Sequence, residues 1–372
     1  MLKKRVLISG GAGFIGSHTA DELYRRGYKI RILDNLSPGV HFGKWPDYLK
    51  QGCEKIRGDV RNGGDWERAL VNIDYVVHLA ALTDLIPDYK NFFDINVTGT
   101  ALLYQVIRER KLPVKKVVVA SSQFVYGEGK WRCKKHGVVT PEARSEERLK
   151  RGQWEPVCPL GGEKIEYLKY VEIHQDPPNH YAITKYAAEM IALKLGRINN
   201  IPSVAMRYSV VQGPRQSVKN MYSGAVRIFA LGALAGEAPI IYEDGKQMRD
   251  FVSVYDVARA NVIALEDKRA DYENFNVGGG EGRTVLQLAK AVCEATKLEV
   301  DLKPSGMYRV GDVRHCISGI SKLKKLGWNP RVAMEESVEE YVVWLKKQNL
   351  DRDYLGMAKK KMKELGMVRR VG

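Results

Sequence analysis

Short apolar runs alternate with longer amphipathic ones along the first 125 residues of this chain. Residues 5–9, 29–33, 75–79 and 116–121 are brief, rich in Val and Ile, and bounded by Gly, Asp or Ser, the pattern of buried strands. Residues 14–26 and 92–110 carry apolar positions at helical spacing. This β-α-β alternation predicts an α/β fold whose parallel sheet is covered by helices on both faces. Residues 128–178 break the pattern: the stretch is polar, holds Pro141, Pro156, Pro159, Pro177 and Pro178, and has little periodicity, so it reads as an insertion. Helical spacing returns at 179–199 and a strand follows at 203–207. Beyond 210 the pattern is mixed, with helices expected at 225–234, 254–265, 285–295 and 334–346 and short strands near 240–242 and 275–277. A basic helical tail is expected from Asp351 to the end.

The length of 372 residues suits two domains, or one large α/β domain with an appended lobe. No run of about 18 apolar residues occurs, so no membrane-spanning helix and no membrane partner are expected. The basic-then-apolar start is too short for a signal peptide and reads as a first strand, which points to the cytoplasm. Five scattered cysteines, an odd number, are not a disulfide framework and suit a reducing compartment. The net charge of +16 attracts polyanions. Part of it lies in Lys359-Lys360-Lys361-Met362-Lys363, which reads as a solvated helix face. With no RNA-recognition aromatic motif and no zinc-finger spacing, no nucleic-acid partner is expected.

The candidate chemistry begins at Gly10-Gly11-Ala12-Gly13-Phe14-Ile15-Gly16, between the first strand and the first helix. Glycines at 10, 13 and 16 permit the tight turn, the approach of backbone to a pyrophosphate, and close helix–strand packing, while the helix N-terminus offers N–H groups to the phosphates. The second strand ends at Asp34, beside Asn35, and an acidic side chain there accepts hydrogen bonds from ribose hydroxyls and repels a 2′-phosphate, favouring NAD over NADP. Arg31 alternates to the other face. Tyr181 and Lys185 are four residues apart on one helix face, where an ammonium would draw the phenol pKa down from about 10 and ready it to take a hydroxyl proton. Ser121 and Ser122 follow a parallel strand directly, at the sheet edge where open α/β folds bind ligands.

Together these residues resemble the extended short-chain dehydrogenase/reductase family, in its nucleotide-sugar epimerase and dehydratase branch. The ordered matches include Gly58-Asp59-Val60, His78-Leu79-Ala80-Ala81, Asn96-Val97-Thr98-Gly99-Thr100, Val125-Tyr126-Gly127, Arg249-Asp250-Phe251-Val252 and Arg309-Val310-Gly311-Asp312, and they run from Gly10 to about Trp344. The pattern is UDP-glucose 4-epimerase-like and nearest in style to dTDP-L-rhamnose 4-epimerases. The resemblance implies a Rossmann-type domain over 1–208 containing the insertion, a smaller mixed substrate lobe over 209–350 interleaved with it, and the tail 351–372. It implies that Asp59 and Val60 flank the adenine, that Leu79, Ala80 and Ala81 line the cofactor's phosphate and ribose, and that Asn96 orders the site behind the nicotinamide. Ser122, Tyr181 and Lys185 would be catalytic, Gln123 would touch the sugar, Arg249 and Arg309 would hold the substrate diphosphate, and Asp312 would meet the nucleotide ribose or brace Arg309.

Departures from the family narrow the reading. Sugar 4,6-dehydratases carry Asp-Glu after the catalytic hydroxyl residue; this chain has Gln123-Phe124. What remains suits 4-epimerisation, in which C4 is oxidised, the 4-keto sugar turns over and the same hydride returns. Other NAD-dependent conversions of the same substrates (2- or 3,5-epimerisation, 4-keto reduction) and a non-catalytic cofactor-binding regulator stay open. Common 4-epimerases have an Asn contacting the diphosphate where this chain has Val210. In the insertion, Cys133, His136 and Cys158 resemble part of a zinc-ribbon ligand set, but the fourth position is Gly161, so no metal is expected; the insertion is a candidate lid. A homodimer is expected through helices 92–110 and 179–199.

Overall fold

The structure, a computed structural model, describes residues 3–41, 43–83, 87–218, 224–309, 311–348 and the backbone of 368–370. Its first five strands are β1 (Arg5–Ser9), β2 (Lys29–Asp34), β3 (Glu54–Arg57), β4 (Tyr75–His78) and β5 (Lys116–Ser122). The insertion adds β6 (Trp131–Cys133), β7 (Gly137–Val139) and β8 (Ile165–Tyr167). Then come β9 (Ser203–Tyr208), β10 (Val210–Gln212), β11 (Met248–Arg249), β12 (Phe251–Ser253), β13 (Asn274–Val277), β14 (Arg283–Thr284), β15 (Met307–Arg309) and β16 (Val368–Arg370). Seven of them form one parallel sheet in the order β13-β9-β5-β4-β1-β2-β3. This is the parallel sheet the alternation predicts, in the Rossmann-type order that the resemblance implies.

Strand side chains alternate between two cores. Val6, Ile8, Ile32, Val118 and Val204 pack on one face, Leu7, Leu33, Val76, Val117 and Val119 on the other. Period-2 geometry applied to all-apolar strands makes a sheet buried on both sides. A third cluster, built on helices Ala225–Leu234, Val285–Thr296 and Met334–Lys346, forms the core of the smaller lobe. Strand β13 lies late in the chain yet completes the large sheet beside β9, so the two parts interleave.

Several expectations need correction. Strand β3 and the helix Gly63–Leu70 went unpredicted; β3 is an edge strand whose charged residues Glu54, Lys55 and Arg57 hide any apolar alternation. The single helix expected over 92–110 is three pieces: Tyr89–Phe92, a π-helical turn Phe93–Thr98, and Gly99–Glu109. Residues 240–242 are not a strand; only Ile241 makes a bridge, to Pro304. The insertion, though polar, folds as an antiparallel sheet β7-β6-β8 with a short helix Glu146–Lys150. Of the expected tail helix, 351–367 lie outside the described residues, and β16 is a strand antiparallel to β15.

Beneath the sheet's carboxyl edge, Arg207 Nη2 and Nε donate to the two carboxylate oxygens of Glu189 at 2.5 and 2.9 Å, with both side chains fully buried. Ser121 Oγ donates to the same carboxylate at 2.7 Å, and Arg207 Nη1 donates to Tyr126 Oη at 2.7 Å. Removing one partner strands a buried charge. Arg207→Ala is therefore expected to lower unfolding free energy by about 3–5 kcal/mol in urea denaturation, well beyond the roughly 1 kcal/mol of an average substitution.

Candidate active site

A cleft of about 1090 Å³ opens at the carboxyl ends of the sheet strands. The strand order reverses between β1 and β4, which is where such sheets bind nucleotides. Gly10 has φ +68°, and a Cβ there would stand 2.7 Å from Ala80 N; a Cβ on Gly16 would stand 2.2 Å from Gly10 O. The loop thus packs without side chains between β1, β4 and the helix Phe14–Arg25. Gly13 caps that helix with no side-chain hydrogen bond, and no acidic residue lies in the first turn. The open amides fit a pyrophosphate. Gly10, Gly13, Phe14, Ile15 and Gly16 all line the cleft.

The same cleft takes in Asp34, Asn35, Asp59 and Val60 at one end and Leu79, Ala80 and Ala81 along its side. Asp34 is held by Ala12 N–H at 3.1 Å and Leu36 N–H at 2.9 Å. Asn35 Nδ2 donates to Asp59 at 3.2 Å, and hydrogen bonds from Arg61 hold the Asp59 carboxyl down at about 2. Arg31 points away as expected: Nη1 donates to the carbonyls of Ala69 and Val71, and Nε meets Glu54 at 2.8 Å. Its charge does not invite a 2′-phosphate.

Ser122, Tyr181 and Lys185 all line the same cleft. Ser122 ends β5 and caps the following turn, accepting from Phe124 N–H at 3.2 Å, and its hydroxyl hydrogen-bonds Tyr181. The neighbouring Ser121 also lines the cleft, but its hydroxyl is committed to Glu189. Tyr181 and Lys185 come from the helix His180–Ile198, begun by Asn179, whose side chain accepts from Ala182 N–H. Asn96 sits in the π-helical turn, donating to Thr184 Oγ1 at 3.0 Å and to Leu82 O at 3.1 Å, so it ties the cleft wall to the helix that bears Tyr181 and Lys185. A π-turn places its side chain there.

One electrostatic expectation is overturned. Lys185 does not pull Tyr181 down in the protein alone: burial raises the phenol pKa, opposed by the Ser122 hydrogen bond. Burial instead pushes Lys185 down to about 8, with Glu189 one helical turn further on opposing the fall. Sequence reasoning missed that Glu189 continues the 181–185 face at the same spacing. It also gave no role to His78, which burial, aided by Lys185, keeps neutral while it joins Ser9 Oγ at 2.6 Å and Thr100 Oγ1 at 3.1 Å behind the site.

The far wall carries Gln123, Arg249, Arg309 and Asp312. Gln123 is buried, and its Oε1 has no hydrogen-bond partner among the described residues. Arg309 stacks over Tyr242, 5.1 Å from the ring centroid. Asp312 pairs with Arg249 Nη2 at 3.1 Å, not with Arg309. Arg249 also donates to the carbonyls of Met248, Val313 and Arg314. It is thus committed to building the wall more than the sequence suggests. Val210 lies on the same cleft.

A family model described as the NAD dependent epimerase/dehydratase family matches residues 6–278. The chain belongs to that family. It is 31% identical over 360 residues to a dTDP-L-rhamnose 4-epimerase of Burkholderia thailandensis, covering 94% of this chain and 96% of that one. Its fold is similar to that of the Thermotoga maritima UDP-glucose 4-epimerase solved with UDP-glucose (TM-score 0.73, 31% identity, 92% of this chain and 99% of the other). It is similar too to the Thermus thermophilus UDP-glucose 4-epimerase solved with NAD (TM-score 0.73, 29% identity, 92% and 99%). The uncapped helix and the acidic Asp34 fit the family's NAD. Among the described residues no helix is long and apolar enough to cross a membrane.

The lysine makes the site pH-dependent. As pH rises through about 8, Lys185 sheds its proton, so kcat/KM is expected to fall there; a pH–rate profile flat to about pH 10 would contradict this. Because an unfolded lysine keeps its proton to about 10.4, unfolding takes up a proton between those values, and folding stability should rise with pH across that window.

Proposed function

We propose that this chain is an isomerase, an NAD-dependent nucleotide-sugar 4-epimerase. The hydrogen-bonded Ser122–Tyr181 pair above a buried Lys185 carries the reading, in a cleft with Gln123-Phe124 where a dehydratase needs its acid and base. NAD, held by the glycine loop and Asp34, would supply a reversible hydride acceptor for sugar C4 and a positive charge beside the phenol. Tyr181 Oη removes the 4-hydroxyl proton and later gives it back. Ser122 Oγ holds the reacting oxygen against it. Lys185 lies one helical turn from Tyr181 and, as an ammonium, would oppose the burial that holds the phenol neutral once cofactor and substrate close the cleft. Asn96 keeps the helix that bears both residues in register with the cleft wall.

The substrate's diphosphate is assigned to Arg309, a planar donor at the cleft wall. Arg249 and Asp312 brace that wall, and Gln123 Oε1 is an acceptor for a sugar hydroxyl. Val210 has no polar group to offer the diphosphate. Residues 1–208 hold mainly the cofactor and 209–350 mainly the sugar nucleotide. We further infer a cytoplasmic homodimer: Phe93, Ile183 and Met190 are exposed on the helical segments expected to pair.

Incubation with UDP-, dTDP-, GDP- and CDP-sugars, followed by NMR, is expected to show inversion at C4 alone. Inversion at C2, C3 or C5, or net reduction of a keto sugar, would overturn the assignment. Tyr181→Phe should lose turnover by at least about 100-fold while keeping NAD affinity, and unchanged turnover would sink the mechanism. Ile183→Asp with Met190→Asp should convert the dimer to monomer in sedimentation; a wild-type monomer would refute the dimer.

A further inference from the structure

The insertion brings together four side chains that the epimerase chemistry does not use. Cys133 ends β6 and His136 lies in the turn before β7. A second tight turn spans Cys158 to Glu163, closed by Cys158 N–H to Glu163 O at 2.9 Å and Gly162 N–H to Cys158 O at 2.8 Å. The two turns face each other. His136 Nδ1 lies 3.6 Å from Cys133 Sγ, 3.3 Å from Cys158 Sγ and 3.6 Å from Glu163 Oε2. All four ligand atoms fall within 4.8 Å of one another. Tetrahedral coordination with Zn–S of about 2.3 Å and Zn–N or Zn–O of about 2.0–2.1 Å spaces its ligand atoms about 3.3–3.8 Å apart.

Three further observations point to an ion between them. Glu163 Oε2 is buried and accepts no hydrogen bond among the described residues, with His136 Nδ1 no nearer than 3.6 Å, so an acceptor aimed into the cluster is unsatisfied. Position 161, where Cys-x-x-Cys spacing would put the fourth thiol, is glycine, and a Cβ there would stand 2.4 Å from Glu163 Oε2. The carboxylate thus occupies the space a residue-161 side chain would need. Finally, the insertion's own buried core is small, Trp131, Cys133, Val139 and Cys158 with Ile165 and Tyr167 partly buried against it, so a staple would add much to its stability.

We propose that Cys133, His136, Cys158 and Glu163 form a structural site for one tetrahedral divalent ion of the zinc class. Two thiolates and a carboxylate around a divalent ion leave one negative charge, and Lys135 Nζ, 3.6 Å from Glu163 Oε1, offsets it. Four protein ligands close the site to substrate, so the ion acts on structure and not on the sugar. Its reach extends to the cleft because the same insertion grips the wall: Arg144 donates to Asp312 O at 2.7 Å, and Glu155 meets Arg314 at 2.7 Å. The sequence reading expected no metal because it stopped at Gly161; Glu163 supplies the missing ligand two residues on.

The test needs no activity assay and is independent of the substrate. Full-length protein purified under reducing conditions is expected to hold one zinc per chain by elemental analysis. Exchange for Co²⁺ should give the visible spectrum of a tetrahedral site with thiolate charge transfer. Glu163→Ala, at a partly exposed turn, should fold and lose affinity by more than the roughly 10–100-fold that loss of an outer-shell partner costs. Adding Gly161→Cys to Glu163→Ala should restore stoichiometric binding with stronger thiolate absorption, since the space at 161 is then open. Substoichiometric metal after zinc exposure, an octahedral Co²⁺ spectrum, a Cys133–Cys158 disulfide in the reduced preparation, or zinc that survives both Cys133→Ser and Glu163→Ala would each overturn the proposal.

Discussion

Arg207 and Glu189 meet inside the molecule, and where they meet decides where the helix bearing Tyr181 and Lys185 lies. Arg207 belongs to β9 and Glu189 to the helix His180–Ile198, so their bidentate pair bolts that helix to the sheet. Ser121 joins the carboxylate from β5, Asn274 reaches it from β13, and Tyr126 takes the remaining guanidinium face. Three neighbouring strands and one helix therefore share a single buried charge pair. Such a pair brings little net stability over an apolar packing, but a misplaced partner is costly, which makes it a strict register device.

The site follows from that registration. With the Ser121 hydroxyl drawn into the network, the hydroxyl of Ser122 at the next position is the one that reaches Tyr181. Lys185, one turn before Glu189, feels both the desolvation of its surroundings and the carboxylate's field. Asn96 secures the same helix from the other side through Thr184. The reactive groups sit on a strand end and a helix, both rigid, which is what positioning for hydride and proton transfer demands.

The insertion extends the same logic to the substrate side. Arg144, Glu155 and Glu128 connect it to residues 312–315, the segment whose Asp312 pairs with Arg249. A metal-held insertion would give that wall a rigid backing, where an unpinned polar loop would leave it to move.

Much of this was legible along the chain because it is local. The apolar pattern marked six of the seven sheet strands, all but β3, and the glycine loop, Asp34 and the Tyr181–Lys185 pair all declare themselves within one turn or one helix face. The charged edge strand β3 escaped because solvent allows it any pattern. The folded insertion escaped because its core is four residues, below what periodicity can register. Only the tertiary structure could decide which serine faces the tyrosine, that Asp312 belongs to Arg249, and that Glu163 stands where residue 161 has no side chain. It also reversed the expected shift of Tyr181, because a pKa answers to burial, and burial is set by residues far apart in the chain.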